Sequence, residues 1–116
     1  MGSGGRVASR IARGDVRLYT FASPDKTRPV VVLTRDSAIA YLSTVSIAPI
    51  TSTIRGVASE VILSEEDGMK TSCAVNLHNV VTVSMDRLGK RIAQLNSARM
   101  NEICAALRFS LGCDPS

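Results

Sequence analysis

The fold depends most on residues 47–56, which read Ile47-Ala48-Pro49-Ile50-Thr51-Ser52-Thr53-Ile54-Arg55-Gly56. The β-branched residues of this stretch favour extended structure, and Gly56 marks a turn after it. The apolar first half therefore predicts a buried strand. Its end carries three hydroxyl residues in a row to an open edge of the sheet.

A second core strand is predicted over residues 28–34, beginning at Arg28-Pro29. Pro29 cannot donate a hydrogen bond to a β-ladder and restricts Arg28 to extended backbone, so both residues suit the start of a strand. If the two strands share one small sheet, Arg28 faces Thr51 and Ser52 across a cleft. A guanidinium beside hydroxyl groups is suited to binding phosphate.

Short strands are also predicted on both sides of these two. They cover residues 13–21, 58–63, 72–79 and 80–83, and the last two segments can be read as one bent strand. Between the strands we expect a polar loop over residues 22–27, a short helix over 37–42 capped by Asp36, and an acidic, solvent-exposed loop over 64–68.

One long helix is predicted to begin at Asn96 or Ser97 and to end near Gly112. A stripe of apolar residues at helical spacing is expected to pack on the sheet, namely Met100, Ile103, Leu107 and Leu111. The predicted fold class is therefore mainly β with α (α+β), a small, strongly bent antiparallel sheet or partial barrel closed by a helix.

Length and composition indicate one domain, residues 11–114, after residues 1–10, which we interpret as a flexible remnant of recombinant expression. No apolar run is long enough to span a membrane, so we expect a cytoplasmic protein. The three cysteines are expected to be buried, reduced thiols rather than metal ligands, namely Cys73, Cys104 and Cys113.

The net charge is +4, and the basic residues concentrate in the first 35 positions. This distribution favours a polyanionic partner such as nucleic acid, although a solvated basic face has the same composition. With only two tyrosines, two phenylalanines and no tryptophan, a broad base-stacking platform is not expected. No phosphate-binding glycine loop, zinc ligand set or serine–histidine–aspartate triad is visible.

A further polar group interrupts the apolar segments near residue 76 and consists of Asn76, His78 and Asn79. Alternate strand residues share a face, so Asn76 and His78 are expected to point the same way and could contact bases. More ordinary explanations compete with each assignment. His78 can simply bond its neighbours, the hydroxyl cluster can reflect β propensity, and Arg28 can form a surface ion pair.

Four motifs in this order and spacing resemble the MazF/PemK-type toxins. They are Arg13-Gly14-Asp15-Val16, Arg28-Pro29-Val30-Val31-Val32, Ala48-Pro49-Ile50-Thr51-Ser52-Thr53-Ile54-Arg55-Gly56 and Arg87-Leu88-Gly89-Lys90-Arg91-Ile92. The resemblance runs from about Arg13 to Cys113. It implies an SH3-like barrel with a short helix and a C-terminal helix, a homodimer, and a MazE-like antitoxin whose acidic tail lies in the RNA groove.

The resemblance also implies the activity of a toxin of a toxin–antitoxin system. Such toxins are sequence-specific, ribosome-independent endoribonucleases that inhibit translation and growth. They cleave single-stranded RNA without metal or other cofactor, leaving a 2′,3′-cyclic phosphate and a 5′-hydroxyl. Arg28 and Thr51 fall on the catalytic positions. The residues expected nearby to bind RNA are Lys26, Ser52, Thr53, Arg55, Asn76, His78 and Asn79.

Three departures from the family pattern concern the recognised RNA sequence more than the reaction. Arg17 replaces an aromatic residue, and the loop over residues 22–27 is short, both near the expected RNA entrance. The third departure is the stretch Asn76-Leu77-His78-Asn79, where related sequences have Asn-x-Asp-Asn.

Two alternatives remain at this point. CcdB-like toxins share the fold, bind DNA gyrase through the C-terminal helix and tail, and cut nothing, but this chain lacks the tryptophan typical of their tails. The other alternative is a catalytically silent relative that binds RNA or antitoxin, which only an assay separates from a nuclease.

Overall fold

A computed structural model describes residues 10–22 and 26–113 of the chain. In these ranges seven strands and two helices are present, in the order β1 (Asp15–Thr20), β2 (Thr27–Val32), α1 (Asp36–Ile39), β3 (Thr44–Thr51), β4 (Glu60–Leu63), β5 (Cys73–Asn76), β6 (Val81–Ser84), β7 (Arg91–Gln94) and α2 (Ser97–Leu111). Short 3₁₀ turns cover Glu65–Asp67 and Met85–Arg87. Residues 1–9 of the predicted expression remnant, residues 23–25 of the polar loop and the last three residues of the chain lie outside the described ranges.

The sheet is antiparallel and curls into a half-barrel, as the predicted fold class requires. Its strand order is β4-β5-β3-β2-β1-β7, with β6 also paired to β3. One side of β3 pairs with β2, and its other side pairs with β6 over its first half and with β5 over its last two residues. The curled sheet therefore has β3 at its centre.

Both faces of β3 are buried, which explains its nearly continuous apolar sequence. Ala48 and Ile50 contribute to the main core, whereas Val45 and Ile47 contribute to a smaller cluster on the opposite face. The strand ends at Thr51, so the hydroxyl residues follow at its open end, as predicted.

Helix α2 closes the main core through its buried residues Met100, Ile103 and Ala106. It begins as predicted, because the Asn96 side chain accepts a hydrogen bond from the Arg99 N–H at 2.9 Å. The predicted apolar stripe is wrong at its last position, where Leu111 is 66% exposed. In that last turn Ser110 contacts the rest of the protein instead, because its hydroxyl donates a hydrogen bond to the Leu77 carbonyl at 2.8 Å.

Two other local predictions need correction. Residues 72–83 form two strands instead of one bent strand, because β5 and β6 pair with opposite ends of β3. Asp36 does not cap a helix over 37–42. The N-cap is Arg35, the helix is a single turn, and the Asp36 carboxylate accepts a hydrogen bond from the Arg13 N–H at 2.8 Å.

The cysteines differ in burial, contrary to the expectation that all three are buried. Cys73 is buried, Cys104 is half-buried and Cys113 is exposed, and all three are free thiols. Cys113 follows the last turn of α2, beyond the core that the helix covers. None of the helices in the described ranges is long and apolar enough to cross a membrane.

Candidate active site

The site is a cleft at the open end of the main core. Its apolar floor is a row of residues on three neighbouring strands. Leu18 pairs with Pro29 across β1 and β2. The β2–β3 register pairs Val30 with Pro49, and continuing it by one residue places Ile50 beside Pro29.

Arg28 and Thr51 occupy the next row towards the open end. Continuing the β2–β3 register by two residues places them opposite each other, on strands that lie about 4.8 Å apart. Both side chains line the cleft together with Ser52, as expected from the sequence. The backbone register therefore places Arg28 and Thr51 on neighbouring strands at the same end of the cleft.

The cleft has a volume of about 780 Å³, which is in the range of small-ligand sites. Apolar side chains supply much of its lining, and its polar residues are cations and hydroxyls. The full lining is Leu18, Arg28, Pro29, Ile50, Thr51, Ser52, Gly68, Met69, Lys70, Thr71, Cys73, Lys90 and Ile92. No carboxylate is among these residues.

Three cations face this cleft, and none of them is neutralised by the described part of the chain. The side chains of Arg28, Lys70 and Lys90 form no ion pair or hydrogen bond within residues 10–22 and 26–113. Unpaired cations next to hydroxyl donors and an apolar floor suit a ligand with phosphate groups and flat, partly apolar rings.

The sequence profile of the PemK-like, MazF-like toxins of type II toxin–antitoxin systems matches residues 12–111. The chain belongs to this family.

Several curated relatives of the toxin are proteins of Mycobacterium tuberculosis. "Probable endoribonuclease MazF5" is 45% identical over 103 residues, which cover 88% of this chain and 94% of that relative. "Probable endoribonuclease MazF2" is 38% identical over 97 residues, 83% of this chain and 95% of that protein. The toxin is therefore similar to these relatives over nearly their full length.

Solved structures agree with the assignment of the chain to this family. "Mycobacterium tuberculosis toxin MazF-mt6" superposes with a TM-score of 0.78 at 30% identity, covering 86% of the toxin and 98% of that chain. An "endoribonuclease in complex with its cognate antitoxin" from a mycobacterial species also has a TM-score of 0.78, covering 92% of the toxin and 100% of that chain. At 23% identity, this second likeness shows the fold alone.

One wall of the toxin's cleft is the loop over residues 64–71, which carries Lys70 and Thr71. The sequence predicts this acidic loop to be solvent-exposed, but its Asp67 side chain is only 5% exposed. Asp67 accepts a hydrogen bond from the Ser64 N–H at 2.9 Å and one from Arg99 Nε of α2, also at 2.9 Å. The loop is therefore tied to the helix.

The ion pair between Asp67 and Arg99 changes the acidity of both groups. Burial by itself raises the pKa of the Asp67 carboxyl, but the hydrogen bonds from Arg99 and from the Ser64 N–H outweigh burial, so the pKa lies below its ordinary value. The same bond with Asp67 raises the pKa of Arg99. Both groups are charged at neutral pH, and their attraction holds the loop in place.

Gly68, next to Asp67, sets how closely this loop approaches β7. Its φ is +92°, and an added Cβ would lie 3.0 Å from the Cβ of Ala93. Glycine is therefore required here both by its backbone angle and by the close approach. As a result, Lys70 lies on the β7 side of the cleft.

Three of the predicted RNA-binding residues flank the cleft without lining it, namely Lys26, Thr53 and Arg55. The Thr53 N–H donates to Thr51 Oγ1 at 3.1 Å, so the turn after β3 holds the Thr51 hydroxyl. The Arg55 N–H donates to Glu60 at 3.0 Å, while all three side chains are exposed.

The structure places Asn76, His78 and Asn79 at the far end of β5, away from the cleft lining. Ala74 pairs with Thr51, and Asn76 pairs with Glu60 of β4. Asn76 Oδ1 accepts from the His78 N–H at 2.9 Å, and His78 Nε2 is hydrogen-bonded to the hydroxyl of buried Ser59. His78 follows the strand instead of lying on it, so the expected shared strand face is wrong.

Arg17 does not lie at the RNA entrance, contrary to the expectation from its departure from the family pattern. It is 5% exposed, and its Nε contacts the carboxylate of fully buried Asp15 at 3.0 Å. The guanidinium also donates to the carbonyls of Gly89 and Arg10, at 2.9 Å and 2.6 Å. Asp15 in turn accepts bonds from the Ala12 N–H and from Gln94 Nε2, both at 3.0 Å. This cluster connects β1 with β7 and has a structural role.

Sequence reasoning missed Lys70 and Lys90 as residues of the site. Lys90 belongs to a motif that resembles the family, but neither lysine has a local pattern that distinguishes it from a solvated surface lysine. Only the folded arrangement brings both to the cleft.

Proposed function

We propose that this toxin is a sequence-specific endoribonuclease that cleaves single-stranded RNA at a phosphate bound between Arg28 and Thr51. The observation that carries the proposal is the cleft itself, in which an arginine with no side-chain partner among the described residues lies across from a strand-end threonine in a MazF-like chain. In this proposal residues 11–114 are the toxin domain. The reaction needs no metal or other cofactor, and cleavage inhibits translation and growth.

The proposed reaction begins with attack of a ribose 2′-oxygen on the adjacent phosphorus. A bond from this oxygen to phosphorus forms while the bond from phosphorus to the 5′-oxygen breaks. The 2′-hydroxyl gives up its proton, and the leaving 5′-oxygen takes one up. The products are a 2′,3′-cyclic phosphate and a 5′-hydroxyl.

Arg28 stabilises the negative charge that grows on the non-bridging phosphate oxygens. Its guanidinium presents two parallel N–H donors to these oxygens, and within residues 10–22 and 26–113 no partner has to be displaced first. A guanidinium with a pKa above about 12 is a poor proton donor at neutral pH, so electrostatic stabilisation is its main role.

Thr51 supplies a hydroxyl donor on the opposite side of the phosphate, and Ser52 supplies a second one next to it. The Thr51 oxygen already accepts the Thr53 N–H, which orients its own proton outward from the turn. The surrounding apolar floor lowers the local dielectric and strengthens each of these bonds. The remaining predicted residues contact RNA away from the reacting phosphate. Lys26, Thr53 and Arg55 flank the cleft, whereas Asn76, His78 and Asn79 lie at the far end of β5.

The proposal includes the partners expected of a type II toxin. A cognate, MazE-like antitoxin neutralises the toxin by placing an acidic tail in the cationic cleft, and the toxin acts as a homodimer in the cytoplasm. A gyrase-binding function is not supported, because the family match is to MazF-like toxins.

The test is incubation of the purified protein with long single-stranded RNAs in EDTA, followed by mapping of the cut sites and chemical analysis of the new ends. Discrete cuts at one short motif, with cyclic phosphate and 5′-hydroxyl ends, support the proposal. Arg28→Ala and Thr51→Ala are the inactive variants. Arg35→Gln, which removes an exposed cation outside the cleft, is the matched control.

A protein that leaves several varied RNAs intact would overturn the proposal. Gyrase supercoiling in the presence of the same preparation then tests the gyrase-binding alternative. Cuts that disappear in EDTA, or that persist in Arg28→Ala, would contradict the mechanism rather than the enzyme class.

A further inference from the structure

Two lysines from separate parts of the chain lie on the β7 side of the cleft. Lys90 immediately precedes β7, and its carbonyl accepts a hydrogen bond from the Leu18 N–H at 3.2 Å. Lys70 lies on the loop that packs against β7 at Gly68 and Ala93. Both side chains line the same cleft as Arg28.

Nothing in the described structure uses these two charges. Lys70 and Lys90 are exposed, they form no ion pair or hydrogen bond through their side chains within the described residues, and the cleft lining includes no carboxylate. By contrast, Arg17 and Arg99 each pair with a buried aspartate. The two lysines therefore keep their full charge for a ligand.

The distance between Lys90 and Arg28 is large enough for the two side chains to contact different phosphates. Lys90 and Arg28 are separated by two strand spacings, from β7 through β1 to β2, or about 10 Å between backbones. One strand of stacked duplex DNA advances about 3.4 Å along its axis per phosphate, so on this scale the distance spans about three nucleotide steps. Lys90 is therefore far enough from Arg28 to contact a different phosphate, and Lys70 lines the same cleft.

We infer that Lys70 and Lys90 each bind one further phosphate and together form a second phosphate-binding point of the toxin, which holds the RNA backbone within about three nucleotides of the cleaved bond. The inference rests on the proposed function, because Arg28 defines the cleaved phosphate. The lysines act as point charges and give affinity and alignment, whereas Arg28 and Thr51 act on the reaction itself.

The lining favours RNA over an acidic polypeptide as the ligand of this point. Hydroxyl donors on both walls, Thr51, Ser52 and Thr71, suit phosphate and sugar oxygens. The floor between them is apolar and suits a base or ribose face. An extended chain of carboxylates would use the cations but leave this floor unfilled.

The experiment measures binding of a 2′-O-methyl RNA oligonucleotide, which keeps the phosphates but lacks the attacking hydroxyl, as a function of salt. The proteins are wild type, Lys70→Gln, Lys90→Gln, the double variant, and Arg35→Gln as the matched charge control. The same series is tested with poly-glutamate as an acidic polypeptide. Cleavage of the unmodified RNA is followed in parallel, with kcat and KM determined separately.

We expect each lysine substitution to weaken RNA binding by roughly 5-fold at 0.1 M salt and the double substitution by roughly 25-fold, as a salt slope of about 0.7 per phosphate implies. For the double variant, the slope of the logarithm of the RNA-binding constant against the logarithm of the salt concentration falls in magnitude by about 1.4. KM rises in parallel while kcat at saturating RNA is kept. Lys70→Arg with Lys90→Arg restores binding, which separates charge from folding.

Unchanged affinity and slope in the double variant, relative to Arg35→Gln, would overturn the inference while leaving the proposed function in place. A loss confined to poly-glutamate would also overturn it, since the lysines would then bind an acidic polypeptide. Failure of the wild type to cleave any RNA would instead contradict the proposed function. In that case the salt dependence of RNA affinity, compared between wild type and the lysine variants, still shows whether the lysines bind phosphate.

Discussion

Arg17 on β1 and Arg28 on β2 lie on neighbouring strands and have opposite environments. Arg17 is buried, with Asp15 and two backbone carbonyls as partners. Arg28 is exposed at the start of its strand and has no side-chain partner within the described residues. A buried cation whose donors are all satisfied serves the fold, whereas an unpaired cation in a cleft is available to a ligand.

The largest effect is expected when the buried cluster is broken. Asp15→Ala leaves Arg17 buried without its counter-ion and should lower the free energy of unfolding by about 3–5 kcal/mol. Urea denaturation measures the loss. A double variant, Asp15→Leu with Arg17→Met, removes both charges and should recover much of the stability. If Asp15→Ala unfolded at the wild-type urea concentration, the cluster would have no structural role.

Arg28→Ala is expected to have the converse effect, on activity rather than stability. Cleavage should fall by about 100- to 1,000-fold, because one donor to the developing phosphate charge is lost. The urea midpoint should stay at the wild-type value, since no described residue depends on the side chain. Single-turnover cleavage gives the rate. Arg28→Lys is a useful control, because it keeps the charge but lacks the paired donors. Wild-type cleavage by Arg28→Ala would remove this residue from the site.

Asp67→Asn tests a charge whose role is intermediate between those of Arg17 and Arg28. Asp67 is ion-paired, as Arg17 is, but its pair positions a wall of the cleft that contains Arg28. It should cost about 1.5–3 kcal/mol of stability at neutral pH, the usual range for a charged hydrogen bond. The folded-state pKa of Asp67 is lowered, so its contribution is fully present above the ordinary value of 3.8 and is lost as the pH falls through the lowered value.

Urea denaturation of wild type and Asp67→Asn at pH 7 and near pH 3 checks this sign. The difference in unfolding free energy should be large at pH 7 and should shrink in acid. Glu102→Gln, which removes the exposed second partner of Arg99, should show a much smaller difference. If the difference in unfolding free energy between wild type and Asp67→Asn stayed constant with pH, the pair would not titrate as described.

Arg91→Gln should have the smallest effect. Arg91 approaches the buried carboxylate of Asp15 at 3.7 Å, but its side chain is 55% exposed and screened by water. We expect a loss of about 0–1 kcal/mol in the free energy of unfolding, and undiminished cleavage. A loss as large as that of Asp15→Ala would mean that exposure is a poor guide to which cations stabilise this fold.

Local sequence patterns were enough to predict β3, the Asn96 cap and the presence of Arg28 and Thr51 in one cleft. Each of these depends on neighbours in the chain or on a register that two apolar strands define. The role of Arg17 was missed because its partners include Gly89, 72 positions away. Lys70 and Lys90 were missed for the same reason, since only the packing of the 64–71 loop against β7 brings them together.

Three cations of the cleft have no side-chain partner in the described part of the chain, and they also affect the stability of the empty protein. Like charges that face one cavity repel each other, and this repulsion is present whenever the cleft holds no anion. Dissolved salt weakens it, so the melting temperature of the free toxin should rise with moderate ionic strength. Any polyanion that binds the cleft raises the melting temperature further by mass action, which makes thermal denaturation a simple screen for its ligands.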